Sequence, residues 1–363
     1  MGIFEPGVAG SRWHYRSIPF ARRETDLSLD LDYRLSSKTL LSLAYQRTDT
    51  DRDHRERGKT DIDRWRLSLS NRTMSWATLR VSYEYAKRGG SDYEFDPYEP
   101  FYTSDLPGYV PSLPEGSQPH TLAELRKYDL SGRTQHIFDG RANFLIRDDM
   151  DVFVSARWID NDYDARFGLR SDQSKSANIE WNYQISTRGT VYAFYGYQDH
   201  DDAMANANDL NFGSDPSSGG DVFPASAFWS ESGAGRSHNV GLGFSVACDR
   251  VTVSSDYSFI HSVDEIDYDF ASTDALDIAL LGSSEPGDSY PDLSFSEHVA
   301  TTNITWQINH RLRLRMYHRF EHSKTRDWHF NRLQPLVGRN IFLAAIPEDF
   351  DVNLFGFFIQ YRL

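Results

Sequence analysis

Segments of about ten residues that alternate apolar and polar side chains recur along this chain, joined by two very unequal kinds of connection. ETDLSLDLDY (24–33) turns through RLSS into KTLLSLAYQR (38–47). IDRWRLSLSN (62–71) returns as WATLRVSYEYAK (76–87), and KSANIEWNYQI (175–185) turns through STRG into TVYAFYGYQ (190–198). The other connections are long, acidic and rich in Gly, Pro and Ser. A period of two places successive side chains on opposite faces of a strand. Short turns at one end and long loops at the other are the pattern of an outer-membrane barrel. A water-soluble β-sandwich or propeller would also alternate, but gives no reason for that asymmetry. The expected fold is all-β, an antiparallel transmembrane β-barrel.

Composition is compatible once strands rather than helices are the spanning elements. Charged residues make up 25% of the chain, its mean hydropathy is negative, and no run approaches the roughly 18 apolar residues of a spanning helix. IFLAAI (341–346) is among the longest uninterrupted runs. A barrel strand needs only every second residue to be apolar, so its average stays low. Aromatics reach 14%. Tyr33, Tyr45, Trp65, Trp76, Tyr85, Trp158, Trp181, Tyr197, Trp306 and Tyr361 fall near expected strand ends, where a headgroup zone favours ring side chains.

Six hairpins and a last strand are expected, thirteen strands in all. HIFDGRANFLI (136–146) pairs with DVFVSARWI (151–159), HNVGLGFSVA (238–247) with RVTVSSDYSF (250–259), and HVATTNITWQI (298–308) with RLRLRMYHRF (311–320). DVNLFGFFIQYRL (351–363) closes the chain with an apolar C-terminal face. Residues 1–22 are expected to be an extracellular lead-in, 23–363 a single barrel domain, and 123–135 an upward extension of the fifth strand. MGIFEPGVAG carries no export signal, and single-chain barrels have an even strand number. An upstream half with the signal and an odd number of strands is therefore expected. Without it, the first and last strands would leave unpaired edges in lipid.

Alternation also assigns the faces. Leu27, Leu29, Leu31 and Tyr33 are expected toward lipid, as are Trp65, Leu67 and Leu69, then Val152, Val154, Ala156 and Trp158, and Leu312, Leu314 and Met316. Toward the lumen point Arg64, Arg66, Asn178, Glu180, Asn182, Arg313, Arg315 and Arg319, the candidates for contact with anything inside. The lumen reads as mixed in charge, with no single-sign constriction. The net charge of −15 comes largely from long loops. Residues 260–297 hold Asp264, Glu265, Asp267, Asp269, Asp274, Asp277, Glu285, Asp288, Asp292 and Glu297 without a Lys or Arg. A solvated surface explains that better than a cation-attracting rim.

Other chemistry is sparse. The single cysteine, Cys248 in the turn ACDR (247–250), excludes an internal disulfide and a covalent haem site, which needs two thiols and a histidine. His318, His322 and His329 lie close in sequence but not at helical spacing, so rim histidines are a better reading than a metal site. No phosphate loop, nucleophile elbow or zinc spacing occurs. No catalytic role and no nucleic-acid partner are expected.

The stretch YRSIPFARRETDLSLDLDYRLSSKTLLSLAYQR (15–47), the rhythm of hairpins and YDLSGR (128–133) resemble the MtrB/PioB outer-membrane barrels, with this chain matching the C-terminal half. The resemblance implies a 26-stranded barrel that encloses a periplasmic decahaem c-type cytochrome and carries no cofactor of its own. Haem would belong to the partner, and an extracellular multihaem cytochrome would dock at the long loops. A barrel that size could admit a folded protein, since 16–18 strands already leave an aqueous channel. The alternatives are a general diffusion porin or substrate channel, with 88–123 as its constriction loop, and a barrel with an enzymatic site near its rim.

Overall fold

A computed structural model describes residues 21–53, 55–94, 124–207, 228–270, 291–327, 336–337, 340–341 and 349–362. Thirteen antiparallel strands form one sheet in chain order. They are β1 (Arg22–Ser36), β2 (Thr39–Arg52), β3 (Lys59–Asn71), β4 (Ala77–Gly90), β5 (Gly132–Arg147), β6 (Met150–Asp164), β7 (Gly168–Ser186), β8 (Gly189–Ala207), β9 (Phe228–Cys248), β10 (Val251–Phe270), β11 (Leu293–Gln307), β12 (Leu312–Arg326) and β15 (Phe350–Tyr361). Two short strands, β13 (Leu336–Val337) and β14 (Asn340–Ile341), pair only with each other. The described residues contain no helix.

The expected thirteen strands are therefore present, and the expected asymmetry of connections holds except at β2–β3 and β6–β7, whose connections are also short. Two-residue turns at Ser37–Lys38, Asp148–Asp149, Thr187–Arg188 and Asp249–Arg250 join strands at one end. Asp249 takes a left-handed φ of 49° there, a conformation Asp tolerates in tight turns. Cys248 ends β9 rather than lying in the turn, and is exposed.

At the other end the strands run further than alternation suggested. β9 has 21 residues and so reaches about 70 Å at 3.3 Å per residue, more than twice an apolar band of about 25 Å. Backbone pairing continues into polar sequence because ladder hydrogen bonds do not depend on which side chains alternate. What reads as a loop between β6 and β7 is thus a tight turn at 165–167 on two lengthened strands. Of the acidic stretch, Asp264 to Asp269 belong to β10, while Asp274, Asp277, Glu285 and Asp288 lie outside the described residues, as do His329 and most of 88–123.

Each strand has one apolar face. On β9 Val240, Leu242 and Phe244 point outward and exposed, a run spanning about 20–25 Å with Val246. Cross-strand pairs knit this face together, with Tyr45 and Trp65 rings 4.5 Å apart and Tyr83 and Phe138 rings 4.7 Å apart. Three times a Tyr hydroxyl meets the Nδ1 of a diagonal His at 2.8 Å: Tyr83–His136, Tyr195–His238 and Tyr257–His298. These pairs lie where the apolar run gives way to charge. The direction of pairing also drifts. From Leu41 it passes through Leu69, Val81, Gly140, Ala156 and Ala177, then reaches Tyr197, His238, His261, Ser296 and Lys324. A perpendicular to the strands that leaves the apolar band means strands tilted to its normal, as a barrel wall requires.

A small polar core locks the long-loop end. Leu130 and Ser131 are fully buried, and Glu56 is 2% exposed. Glu56 is held by Lys127 and by Arg55, whose Nε lies 3.3 Å away. Arg55 also pairs with Asp129 at 2.8 Å. Arg57 Nη1 donates to Leu130 O at 2.9 Å, and Arg88 Nε to Ser131 O at 2.7 Å. The Arg126 guanidinium sits 4.3 Å over the Tyr93 ring. Burial pushes the Tyr93 hydroxyl above its ordinary pKa, opposed by the Lys127 amide that donates to it at 3.1 Å. Gly168, with φ +97°, lets Arg126 O come within 2.5 Å of where a Cβ would sit. Residues 128–131 are thus a turn and bend, and β5 starts only at Gly132. The expected strand extension is present over 132–135 and corrected over 124–131, where Leu130 is drawn into the buried core instead of a ladder.

The sheet is not closed. β1 pairs only with β2, and β15 only with β12.

Candidate functional site

The polar faces of all thirteen strands form one continuous wall, and the residues expected toward the lumen all lie on it by register. They fall into three groups rather than one. Arg64 and Arg66 stand beside β4, where both hold Glu84: Arg64 Nε is 2.9 Å from Oε1 and Arg66 Nη2 is 2.5 Å from Oε2. Glu84 is 4% exposed. The carboxylate offsets one of the two guanidinium charges, so the triad leaves one positive charge over.

Asn178, Glu180 and Asn182 form the second group, on β7. Asn182 Nδ2 donates to Glu180 Oε1 at 3.1 Å and lies 3.4 Å from Asp151, while Asn178 faces Gly196 in register. Beside it the wall flattens. The Phe194 and Tyr192 rings fold over Gly241 and Gly243 of β9, and a Cβ on Gly243 would fall 2.5 Å from the Tyr192 ring. Rings covering cross-strand glycines restore the packing those residues lack. Tyr192 is fixed in that pose by donating to Asp256 at 2.5 Å. Arg313, Arg315 and Arg319 are the third group, on β12. Arg315 Nη2 donates to Asn303 Oδ1 at 2.6 Å and the guanidinium lies 5.7 Å from the Phe358 ring centre. Arg313 donates to Gln307 at 2.8 Å, and Arg319 pairs with Glu321.

An evenly mixed wall does not describe this surface. A concavity of about 690 Å³ at the short-turn end is lined by Arg34, Lys38, Arg66, Arg72, Arg80, Arg141 and Arg157, with only Glu84 and Asp139 as acids. Arg141 and Asp139 pair at 3.1 Å. Arg34, Lys38, Arg72, Arg80 and Arg157 have no carboxylate partner among the described residues. Serines 36, 42, 68, 70 and 82 fill the spaces between them. Asp32 borders the field and accepts from Ser42 at 2.5 Å. Sequence reasoning took each strand alone, so it found Arg64 and Arg66 but not this field. The field is visible only when register stacks Ser70 against Arg80 and Arg141 against Ser155.

Among the described residues, no group of three or more His, Cys, Asp or Glu side chains is arranged to hold a metal ion. His318 and His322 lie on β12 itself, on its apolar face, and bond to Asn353 and Asp351 at 3.2 and 2.7 Å.

The model of a family described as outer membrane beta-barrel porin, MtrB/PioB, matches residues 7–363. Curated proteins gave no match. Among solved structures the chain is similar to the copper transporter OprC, at 14% identity and a TM-score of 0.48, over 98% of this chain and 43% of that one. It is similar to the open form of the ferric-catecholate import receptor Fiu from E. coli K12, at 12% identity and 0.46, over 84% and 59%. The siderophore receptor PiuA from Acinetobacter baumannii gives 14% and 0.46, over 84% and 48%. The chain thus spans about half the length of these structures.

Proposed function

The chain belongs to the MtrB/PioB family of outer membrane β-barrel porins, and on that premise we propose that it is part of a sheath around a multihaem c-type cytochrome, holding it for electron transfer across the outer membrane. The bacterial outer membrane is its location. There the apolar face meets lipid, the polar face lines the lumen, and the short turns face the periplasm.

The observation that carries the reading is the width of the polar wall. Thirteen strands at about 4.8 Å spacing already make an arc of roughly 60 Å, and the sheet is still open. β1 and β15 run in the same direction, so further antiparallel strands joining them would be odd in number. Thirteen more would give a barrel of 26. A lumen that wide holds a folded protein, and a wall rich in hydrogen-bonding groups suits a protein surface better than a single solute. On this reading the barrel excludes lipid and positions the haem chain, acting by binding and insulation rather than catalysis. Haem would stay with the periplasmic cytochrome, and the lengthened strands and loops would offer a dock for an extracellular multihaem cytochrome.

Purification of the barrel from native outer membranes should bring with it a protein that stains for covalent haem. Deleting that protein should lower the amount of barrel. A barrel that purifies without haem protein and conducts ions freely would favour the diffusion-porin reading, which the arginine field supports through its capacity to draw small anions.

A further inference from the structure

We propose that the arginine field at the periplasmic mouth, Arg34, Lys38, Arg72, Arg80 and Arg157, docks an acidic face of the enclosed protein. The inference rests on the sheath reading and adds which end of the wall grips the partner and by what chemistry. The chain carries a net charge of −15, yet this one concavity gathers seven cations and two acids. Five of the cations form no ion pair among the described residues, and Asp139, opposite Arg157, is already paired with Arg141, so the concavity keeps a surplus of positive charge and its repulsion. An opposing surface of carboxylates relieves that repulsion, and guanidinium groups accept carboxylates in a bidentate fork that orients as well as binds. The serines between them are too short to screen the cations and add hydroxyls of their own to the surface.

Breadth argues for a protein over a small anion. The field runs from β1 to β6, five strand spacings or about 24 Å, which no phosphate or small carboxylate bridges. Toward the long-loop end of β8 to β10 the polar face instead carries Asp202, Glu231 and Asp264, with His200 as the basic group among them. An enclosed protein would therefore be set in height, its acidic face at the short-turn end against β1–β6. Charge complementarity of this kind fixes register and speeds encounter.

The test uses the complete barrel isolated from native outer membranes. R34Q/R80Q/R157Q should retain the haem protein about tenfold less well than the unaltered barrel, and its retention should depend less on salt. Q198E/S237E/S262E changes net charge equally on the other part of the wall and should retain it normally. R34K/R80K/R157K, which keeps the charge, should do so as well and controls for assembly. If the unaltered barrel holds haem protein and the glutamine variant holds it equally well, or both charge variants lose it alike, the docking proposal is overturned while the sheath stands. If no haem protein accompanies the unaltered barrel, the sheath itself fails. If the glutamine variant alters only anion conductance, the field serves small anions and the proposal is wrong.

Discussion

Leu242→Arg should all but abolish accumulation of the folded barrel, while Asn239→Arg, three residues away on the same strand, should leave it close to normal. Leu242 is 55% exposed on the apolar face of β9, between Val240 and Phe244. An arginine at mid-membrane there costs about 2–4 kcal/mol, enough to consume much of a marginal stability of about 5–15 kcal/mol. Asn239 opposes Gly196 and Ile260 on the polar face, where a guanidinium stays in water. Denaturant titration of both variants in lipid vesicles measures the difference. Equal destabilisation would mean that the two faces have been assigned wrongly.

Leu130→Ala should loosen the extracellular lock without unfolding the wall. Leu130 is wholly buried, so truncation removes its transfer free energy and leaves a cavity, together costing about 2–5 kcal/mol. Its carbonyl accepts from Arg57, and the neighbouring Ser131 carbonyl from Arg88, so the loss propagates to the β2–β3 connection and to β4. Hydrogen exchange of 55–58 and 126–132 should accelerate by about thirtyfold or more, while amides of β9 and β10 stay protected. Acceleration throughout the sheet would show instead that the rim is part of the barrel's global stability.

The strand count and the split of each strand into an apolar and a polar face were legible because alternation survives wherever one side of a strand meets lipid. Leu27, Leu29 and Leu31 are read correctly from sequence, and remain 61–68% exposed on one face. Strand ends were not legible. Above the apolar band both faces are wet, alternation stops, and only pairing remains, as in the 21-residue β9. The aromatic residues show the same effect: Tyr45, Trp65 and Tyr197 mark the edge of the apolar band but sit inside longer strands. YDLSGR stood out in the sequence, yet its packing role depends on Arg88 and Arg57 from other hairpins. The arginine field is of the same kind. Single arginines on β1, β4, β5 and β6 carry no signal until hydrogen-bond register lines them up.

Whether the polar wall surrounds a protein can be measured by site-specific cross-linking in intact outer membranes. With Cys248 replaced by serine, single cysteines are placed at Asn178 on the polar face and at Ile179 on the apolar face of β7. A short photo-reactive label at position 178 should yield a covalent adduct that stains for haem, and the same label at 179 should react only with lipid. Free access of a water-soluble thiol reagent to position 178, with no adduct to any protein, would contradict the sheath and leave an open pore.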